Sequence, residues 1–247
     1  MSVENSWGRA VFVLGMHRSG TSSLTGSLEE CGLALGHVNR LSPHNRKGNL
    51  EDPRVMELHE DLLRHNGGSW HRPPHKIAWN DEHRRQRDLL LADYRGDPIF
   101  GIKDPRTLLM MEFWCASEME SSFVGSFRHP LAVAESLRSR NSFPTDRALD
   151  LWAHYNRLLV RWCDELAFDL VSFDLPRLEY AASVVDAARG LGLAAPDGEL
   201  TYFESELRHH RSSDMGQLPT EIEDLYGKLL QLEARHRLAK EVPQPGR

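Results

Sequence analysis

The residues from Gly15 to Ser22 combine two glycines, several hydroxyl side chains and one arginine in a stretch of eight. Their glycine spacing matches the P-loop pattern G-x-x-x-x-G-K-[ST], whose backbone amides and lysine bind phosphate groups. Thr21 stands where that pattern has its lysine, and the cation comes three positions earlier, at Arg18. Since the charge lies within the loop and not at the mouth of the following helix, the stretch argues against Mg·ATP and indicates a different phosphorylated ligand.

A second set of possible phosphate ligands consists of Arg128, Ser136 and Arg140. Residues four apart lie on one face of a helix, so Ser136 and Arg140 can face a phosphate that Arg128 reaches from the end of a preceding strand. Arginine offers a planar fork that suits phosphate oxygens, and serine offers a short donor of adjustable direction. The spacing therefore predicts a second anion site.

Short apolar segments that favour buried strands precede each set. The predicted strands are residues 10–14, 99–102, 122–127 and 168–173. Apolar residues at helical spacing predict helices over residues 21–31, 53–63, 81–94, 107–117, 146–164, 176–189 and 219–240, and another that begins at Pro130. Because an open parallel sheet binds ligands beyond the carboxyl ends of its strands, Lys103 should share a rim with Arg18. The alternation of strands and helices predicts an α/β fold with an open parallel sheet.

Length and composition limit the function classes. The chain has 247 residues, 40% of them hydrophobic, which suits one domain over residues 1–247. A net charge of −6 argues against general affinity for nucleic acid. No apolar run reaches the length of a membrane span, and we expect a cytoplasmic protein because Cys31, Cys115 and Cys163 offer no disulfide framework. His71 and His75 flank a double proline, so we expect no metal site there.

The stretch from Gly15 to Ser22 resembles the 5′-phosphosulfate loop of sulfotransferases that use 3′-phosphoadenosine-5′-phosphosulfate (PAPS). Those loops carry Lys or Arg at the position of Arg18, followed by Ser-Gly-Thr. The spacing of Arg128 and Ser136 is similar to the family's 3′-phosphate element, to which tyrosylprotein sulfotransferases add an arginine at the position of Arg140. The resemblance implies a three-layer, P-loop-NTPase-like fold, PAPS as donor, adenosine 3′,5′-bisphosphate (PAP) as product, and no metal. It implies donor contacts at His17, Arg18, Ser19, Gly20, Thr21, Ser22, Ser23, Arg128, Ser136 and Arg140.

The same resemblance nominates catalytic residues, which are Arg18 and two others. The run Lys103-Asp104-Pro105-Arg106 is shared by many such enzymes, in which the lysine lies beside the transferring group. Residues 45–52 are similar to a bacterial N-P-K-G-x-x-E-[ND] phrase, with Arg46 for proline and Leu50 for an aromatic residue, and this nominates Glu51 as the base. Two plainer alternatives stay open: Glu51 caps the next helix, or a basic residue of the Lys103 run forms a surface ion pair with Asp104.

The expected reaction is transfer of a sulfuryl group from PAPS to a hydroxyl of a carbohydrate or small metabolite. One alternative is a P-loop kinase or other nucleotide-binding protein, for which Asp104 is the candidate metal ligand. Another is a non-catalytic binding module with the sulfotransferase fold. Residues 203–211 also resemble a basic phrase near the end of many bacterial members, but a solvated turn is the preferred interpretation. The acceptor and the oligomeric state stay open.

Overall fold

The computed structural model describes residues 8–41, 47–94, 96–196, 198–203 and 217–241. Within these ranges four strands form one sheet in the order β2-β1-β3-β4, and every neighbouring pair is parallel. The strands are β1 (Arg9–Leu14), β2 (Ile99–Lys103), β3 (Ser121–Phe127) and β4 (Asp169–Ser172). Val13 of β1 pairs with Lys103 on one side and with Val124 on the other. The carboxyl ends of the three strands therefore reach one rim together, as the sequence predicted.

Helices connect the strands and cover both faces of the sheet. They are α1 (Thr21–Glu30), α2 (Pro53–His65), α3 (Asp81–Ala92), α4 (Met111–Cys115), α5 (Pro130–Asn141), α6 (Thr145–Leu166), α7 (Arg177–Gly190) and α8 (Thr220–Glu241). Where a single helix over 107–117 was predicted, a 3₁₀ helix (Pro105–Met110) comes first and α4 is short. The proline and the Asp104 cap begin a tighter turn at that point. None of the described helices combines the length and apolar character that crossing a bilayer requires.

Strand β1 shows why the sheet has two covered faces. Ala10, Phe12 and Leu14 belong to a core with α2, α5 and α6, whereas Val11 and Val13 belong to a second core with α1 and α7. All five side chains are at most 1% exposed. An apolar run without polar alternation is what burial on both faces requires. The structure thus confirms the predicted three-layer α/β fold.

The turn from β1 to α1 depends on its two glycines. Gly15 and Gly20 have φ values of 146° and 85°, which side chains rarely adopt. A Cβ at Gly15 would overlap the Ser126 carbonyl oxygen, and one at Gly20 would overlap the Phe173 ring. Arg18 between them has a φ of 68°, a left-handed conformation for a residue with a side chain. The tight turn therefore fixes the loop against the ends of the neighbouring strands.

Candidate functional site

The loop after β1 presents several hydroxyl groups at the N-terminus of α1. The hydroxyl oxygens of Ser19 and Ser23 are buried without a hydrogen-bond partner, while Ser22 Oγ donates to the Asn49 carbonyl over 3.0 Å. Thr21 begins α1, whose first amides have no carbonyl partner within the helix. Unpartnered donors around a helix N-terminus suit an anion with several acceptor oxygens. The loop can therefore cradle a phosphate group.

The two predicted anion sites meet through one hydrogen bond. Arg18 Nε donates to Ser136 Oγ over 2.7 Å, which joins the loop after β1 to α5. Burial lowers the pKa of the Arg18 guanidinium, and the nearby guanidinium groups of Arg140 and Arg128 lower it further. In the part of the chain that the structure describes, neither Arg18 nor Arg140 has a carboxylate within ion-pair distance. Three cations therefore converge where a multivalent anion would relieve their repulsion.

Arg128 lies immediately after β3 and is 8% exposed. Trp152 on α6 fixes its backbone, since the indole Nε1 donates to the Arg128 carbonyl over 3.0 Å. The guanidinium lies over the Phe173 ring, 5.3 Å from its centroid, and its Nε is 3.9 Å from Asp174 Oδ1. The same carboxylate accepts from the His129 amide over 2.6 Å. The sequence analysis did not assign Asp174 to the site, although an acid that follows the fourth predicted strand could have indicated it.

Lys103 and Glu51 form a buried ion pair on the same rim. Lys103 Nζ lies 2.7 Å from Glu51 Oε1, and it also donates to the Asn49 carbonyl over 2.8 Å and to Ser22 Oγ over 3.2 Å. The two residues are 4% and 7% exposed. One ammonium and one carboxylate thus meet beside the first turn of α1. The Asn49 carbonyl carried no signal in the sequence, because a backbone ligand has no residue type.

The plainer interpretation of Glu51 as a helix cap is wrong. Asp52 caps α2 instead, because its Oδ1 accepts from the Arg54 amide over 2.9 Å. Burial acts to raise the pKa of Asp52, but the hydrogen bonds that it accepts from the Arg54 side chain and from the Arg54 backbone amide outweigh burial and lower that pKa. The Asp52 side chain faces the start of α2, and the Glu51 carboxylate contacts Lys103. The Glu51 carboxylate therefore lies beside Lys103 at the rim and not at the N-terminus of α2.

The alternative of a surface ion pair at Asp104 is wrong, because Asp104 belongs to a buried network. Asp104 is fully buried, its Oδ2 lies 2.7 Å from Arg106 Nη2, and its Oδ1 lies 3.3 Å from His59 Nδ1. Trp114 Nε1 donates to His59 Nε2 over 2.9 Å, which leaves the imidazole proton on Nδ1, facing Asp104. Burial would raise the pKa of Asp104, but Arg106 and His59 hold it well below its usual range. Because its oxygens are engaged here, Asp104 is a poor metal ligand for the kinase alternative.

His17 packs against two aromatic side chains. Its ring contacts Trp70 and Tyr155, with centroids 4.4 Å and 6.1 Å away, and its Nε2 is buried without a hydrogen-bond partner. Burial, followed by the charge of Arg106, lowers the pKa of His17 to about 3. The imidazole is therefore neutral at pH 7. The expected donor contact of this residue remains a prediction.

Two further expectations concern metal binding and the late basic segment. The described residues contain no group of three or more His, Cys, Asp or Glu side chains placed to hold a metal ion. Of the late basic segment, only Phe203 is described, and it is buried. Residues 204–211 lie outside the described residues, as do residues 42–46, which include the first two positions of the predicted N-P-K-G-like phrase.

Comparison with known proteins adds a fold relationship. No family model and no curated protein matches the chain. Among solved structures, the sulfotransferase domain from the Synechococcus PCC 7002 olefin synthase is similar, with a TM-score of 0.50 and 17% sequence identity. The alignment covers 98% of this chain and 98% of that one. At this identity the likeness shows a shared fold over almost the whole chain.

Proposed function

We propose that the protein transfers a sulfuryl group from PAPS to the hydroxyl of a carbohydrate or small metabolite. The observation that carries the proposal is the 2.7 Å hydrogen bond from Arg18 to Ser136. It places the loop after β1 next to α5, so that one nucleotide with phosphates at both its 5′ and 3′ positions can contact both. The fold shared with a sulfotransferase domain supports the same assignment.

The donor-binding residues have distinct tasks in this proposal. The unpartnered Ser19 and Ser23 hydroxyls, the first amides of α1 and Arg18 fit the 5′ end of the donor, and Arg128, Ser136 and Arg140 fit its 3′-phosphate. PAPS would supply the sulfuryl group. The guanidinium of Arg18 and the amides neutralise the charge that the 5′-phosphate gains as the bond to sulfur breaks.

The buried ion pair of Glu51 and Lys103 acts on the acceptor in this proposal. The Glu51 carboxylate accepts the proton of the acceptor hydroxyl, whose oxygen forms the new bond to sulfur. The Lys103 ammonium leaves its contact with Glu51 to stabilise negative charge on the transferred group. Such a transfer depends on positioning and charge stabilisation, as phosphoryl transfer does, and the pair supplies both functions within 2.7 Å.

Titration calorimetry tests donor recognition. We expect PAP to bind more tightly than 5′-AMP, because 5′-AMP lacks the phosphate that Arg128 and Ser136 would contact. The Ser136→Ala variant should lose part of this preference, whereas Ser139→Ala, an exposed serine of the same helix, should keep it. Tighter binding of Mg·ATP than of PAP would favour the kinase alternative and contradict the proposal.

Transfer of radiolabel from PAPS to a panel of hydroxyl compounds tests catalysis. We expect label in at least one acceptor when wild-type protein is present, and none when Lys103→Ala replaces it. PAP binding without transfer to any member of the panel would favour the non-catalytic binding module.

A further inference from the structure

A column of aromatic and cationic side chains runs outward from the site, and beyond its first member, His17, it contains none of the residues proposed to bind the donor. It begins at His17, whose ring lies 4.4 Å from that of Trp70, in the connection between α2 and α3. Trp70 stacks on Phe143, between α5 and α6, with centroids 5.9 Å apart. The Arg147 guanidinium of α6 lies over the Phe143 ring, 4.4 Å from its centroid. Three elements thus form one wall that leads from the loop after β1 to the surface.

At the outer end of the column lie hydrogen-bond donors that have no carboxylate partner among the described residues. Arg147 Nη2 lies 3.1 Å from His71 Nδ1. Since arginine can only donate, His71 Nδ1 accepts, and the proton of the neutral imidazole lies on Nε2. Arg147 is exposed and has no carboxylate within ion-pair distance among the described residues, although Asp150 is one turn further along α6. The remaining N–H groups of Arg147 and the Nε2–H of His71 are therefore donors for an external group.

Two other exposed arginines of α5 and α6 have an acidic partner, whereas Arg72 and Arg140, the latter assigned to the donor's 3′-phosphate, have none among the described residues. Arg138 on α5 lies 2.6 Å from Glu135, and Arg161 on α6 lies 2.8 Å from Glu165. In a chain with a net charge of −6, an arginine held over an aromatic ring with no acid beside it is a site for an anion. His154 lies two turns along α6 from Arg147, and the charged groups that act on its imidazole are Arg157 and His75. It therefore gives no sign of a carboxylate near the outer end of the column.

We infer that the column formed by Trp70, Phe143 and Arg147 is the acceptor subsite, and that it takes a ring-bearing hydroxyl compound with an anionic substituent. This inference rests on the proposed sulfuryl transfer. The faces of the half-buried rings lie against one another and against Arg147, so their outer edges are what a sugar or phenol ring can contact, and the Arg147 fork binds a carboxylate, phosphate or sulfate. His17 connects the column to the loop, and the Lys103 and Arg106 charges both act on its imidazole. The ring thus lies on the wall while the hydroxyl reaches the rim.

Matched acceptor pairs test the inference. One pair is 4-hydroxyphenylacetate with 4-hydroxyphenylacetamide, and the other is methyl glucuronide with methyl glucoside. Within at least one pair, the acid should have the lower KM, and Arg147→Gln should raise that KM roughly ten-fold, the value of a hydrogen bond to a charged group. The neutral member should keep its KM. Arg138→Gln, which also removes one exposed charge, should change neither value. The pair that shows the effect distinguishes a phenolic from a sugar acceptor.

Direct binding separates this inference from the proposed function. The same four compounds are titrated into wild type and Arg147→Gln by calorimetry, with and without PAP. If PAP does not bind, the proposed donor is wrong, yet an acid preference that depends on Arg147 still supports the subsite. Equal affinity for acid and neutral compound, a loss shared with Arg138→Gln, or no binding of any compound overturns it.

Discussion

Glu51 and Lys103 form an ion pair that is nearly excluded from water. If Glu51 accepts the acceptor proton, Glu51→Gln should lower kcat by roughly 10²- to 10⁴-fold, the usual contribution of a general base. PAP affinity should stay near that of wild type, because the residue is placed on the acceptor side. Glu57→Gln, an exposed glutamate on α2, is the control. Steady-state kinetics and calorimetry measure both quantities, and turnover near wild type would remove Glu51 as the base.

His17 should make folding stability sensitive to acid. Its pKa is about 3 in the folded protein against 6.5 for an ordinary histidine, since burial and nearby cations disfavour the charged form. Between these values the unfolded chain binds a proton that the folded chain does not, so stability is lost as the pH falls from 6.5 toward 3. The loss from this one group is at most about 1.4 kcal/mol per pH unit.

Urea unfolding at a series of pH values measures this effect. The His17→Gln variant should lose less stability than wild type as the pH falls from about 6.5 to about 4, and the two curves should become parallel above neutral pH. Parallel curves over the whole range would mean that the imidazole can take up a proton in the folded protein.

At the scale of elements, the β1–α1 turn is held by close packing as well as by its backbone conformation. Gly20 and Gly32 have similar φ values of 85° and 93°, but only at Gly20 would a Cβ meet a neighbour, the Phe173 ring. Gly32→Ala therefore measures the backbone cost alone, about 1 kcal/mol. We expect Gly20→Ala to cost roughly 1 to 3 kcal/mol more, the usual cost of overpacking. Urea denaturation compares the two, and equal losses would show that the ring moves aside freely.

The 3₁₀ helix after β2 depends on a buried charge network. Asp104→Asn would leave the Arg106 guanidinium, only 6% exposed, without its main counter-charge. Removing one partner of a buried pair typically costs about 3 to 5 kcal/mol. Glu82→Gln, which removes an exposed acid paired with Arg85 on α3, should cost less than about 1 kcal/mol. Similar losses for both variants in chemical denaturation would mean that solvent or Glu60 replaces Asp104 as the partner of Arg106.

The elements themselves were largely predictable because their patterns are local. Residues 10–14 were expected as a strand buried on both faces, and β1 alternates between two cores as that requires. The helix beginning at Pro53 was placed correctly. Its N-terminal cap was not assigned, because Glu51 could have been either that cap or the catalytic base. The structure settles this through Asp52, since two adjacent acids give no sequence signal for which one turns toward the helix amides.

Contacts between distant elements could not be predicted from local patterns. His59, Trp114 and Asp104 come from different parts of the chain, and the contacts that His59 makes with Trp114 and Asp104 depend on how α2 and α4 pack against the end of β2. The column from Trp70 to Arg147 likewise joins two connections that are far apart in sequence. The roles assigned to Arg18, Lys103 and the other site residues stay predictions, although the structure brings most of these residues to one rim.

At the scale of the whole molecule, the proposal requires that the ends of β1 and β3 bind one ligand. A double-mutant cycle tests this requirement. Arg18→Ala and Arg128→Ala should each weaken PAP binding, and the double variant should lose less than the sum of the two losses. A ligand released at one end is held less firmly at the other, so a coupling of about 0.5 to 3 kcal/mol is expected.

The control cycle combines Arg18→Ala with Arg138→Ala, an exposed arginine of α5 whose partner is Glu135. Its two effects should add to within about 0.5 kcal/mol, because no shared ligand connects these side chains. Calorimetric titration with PAP gives all the affinities, and circular dichroism checks that each variant is folded. Additivity in the first cycle would mean that Arg18 and Arg128 do not act on the same nucleotide. Because the Arg128 charge already acts on the Arg18 guanidinium in the free protein, the cycle is repeated at high salt, where a coupling due only to their repulsion should shrink.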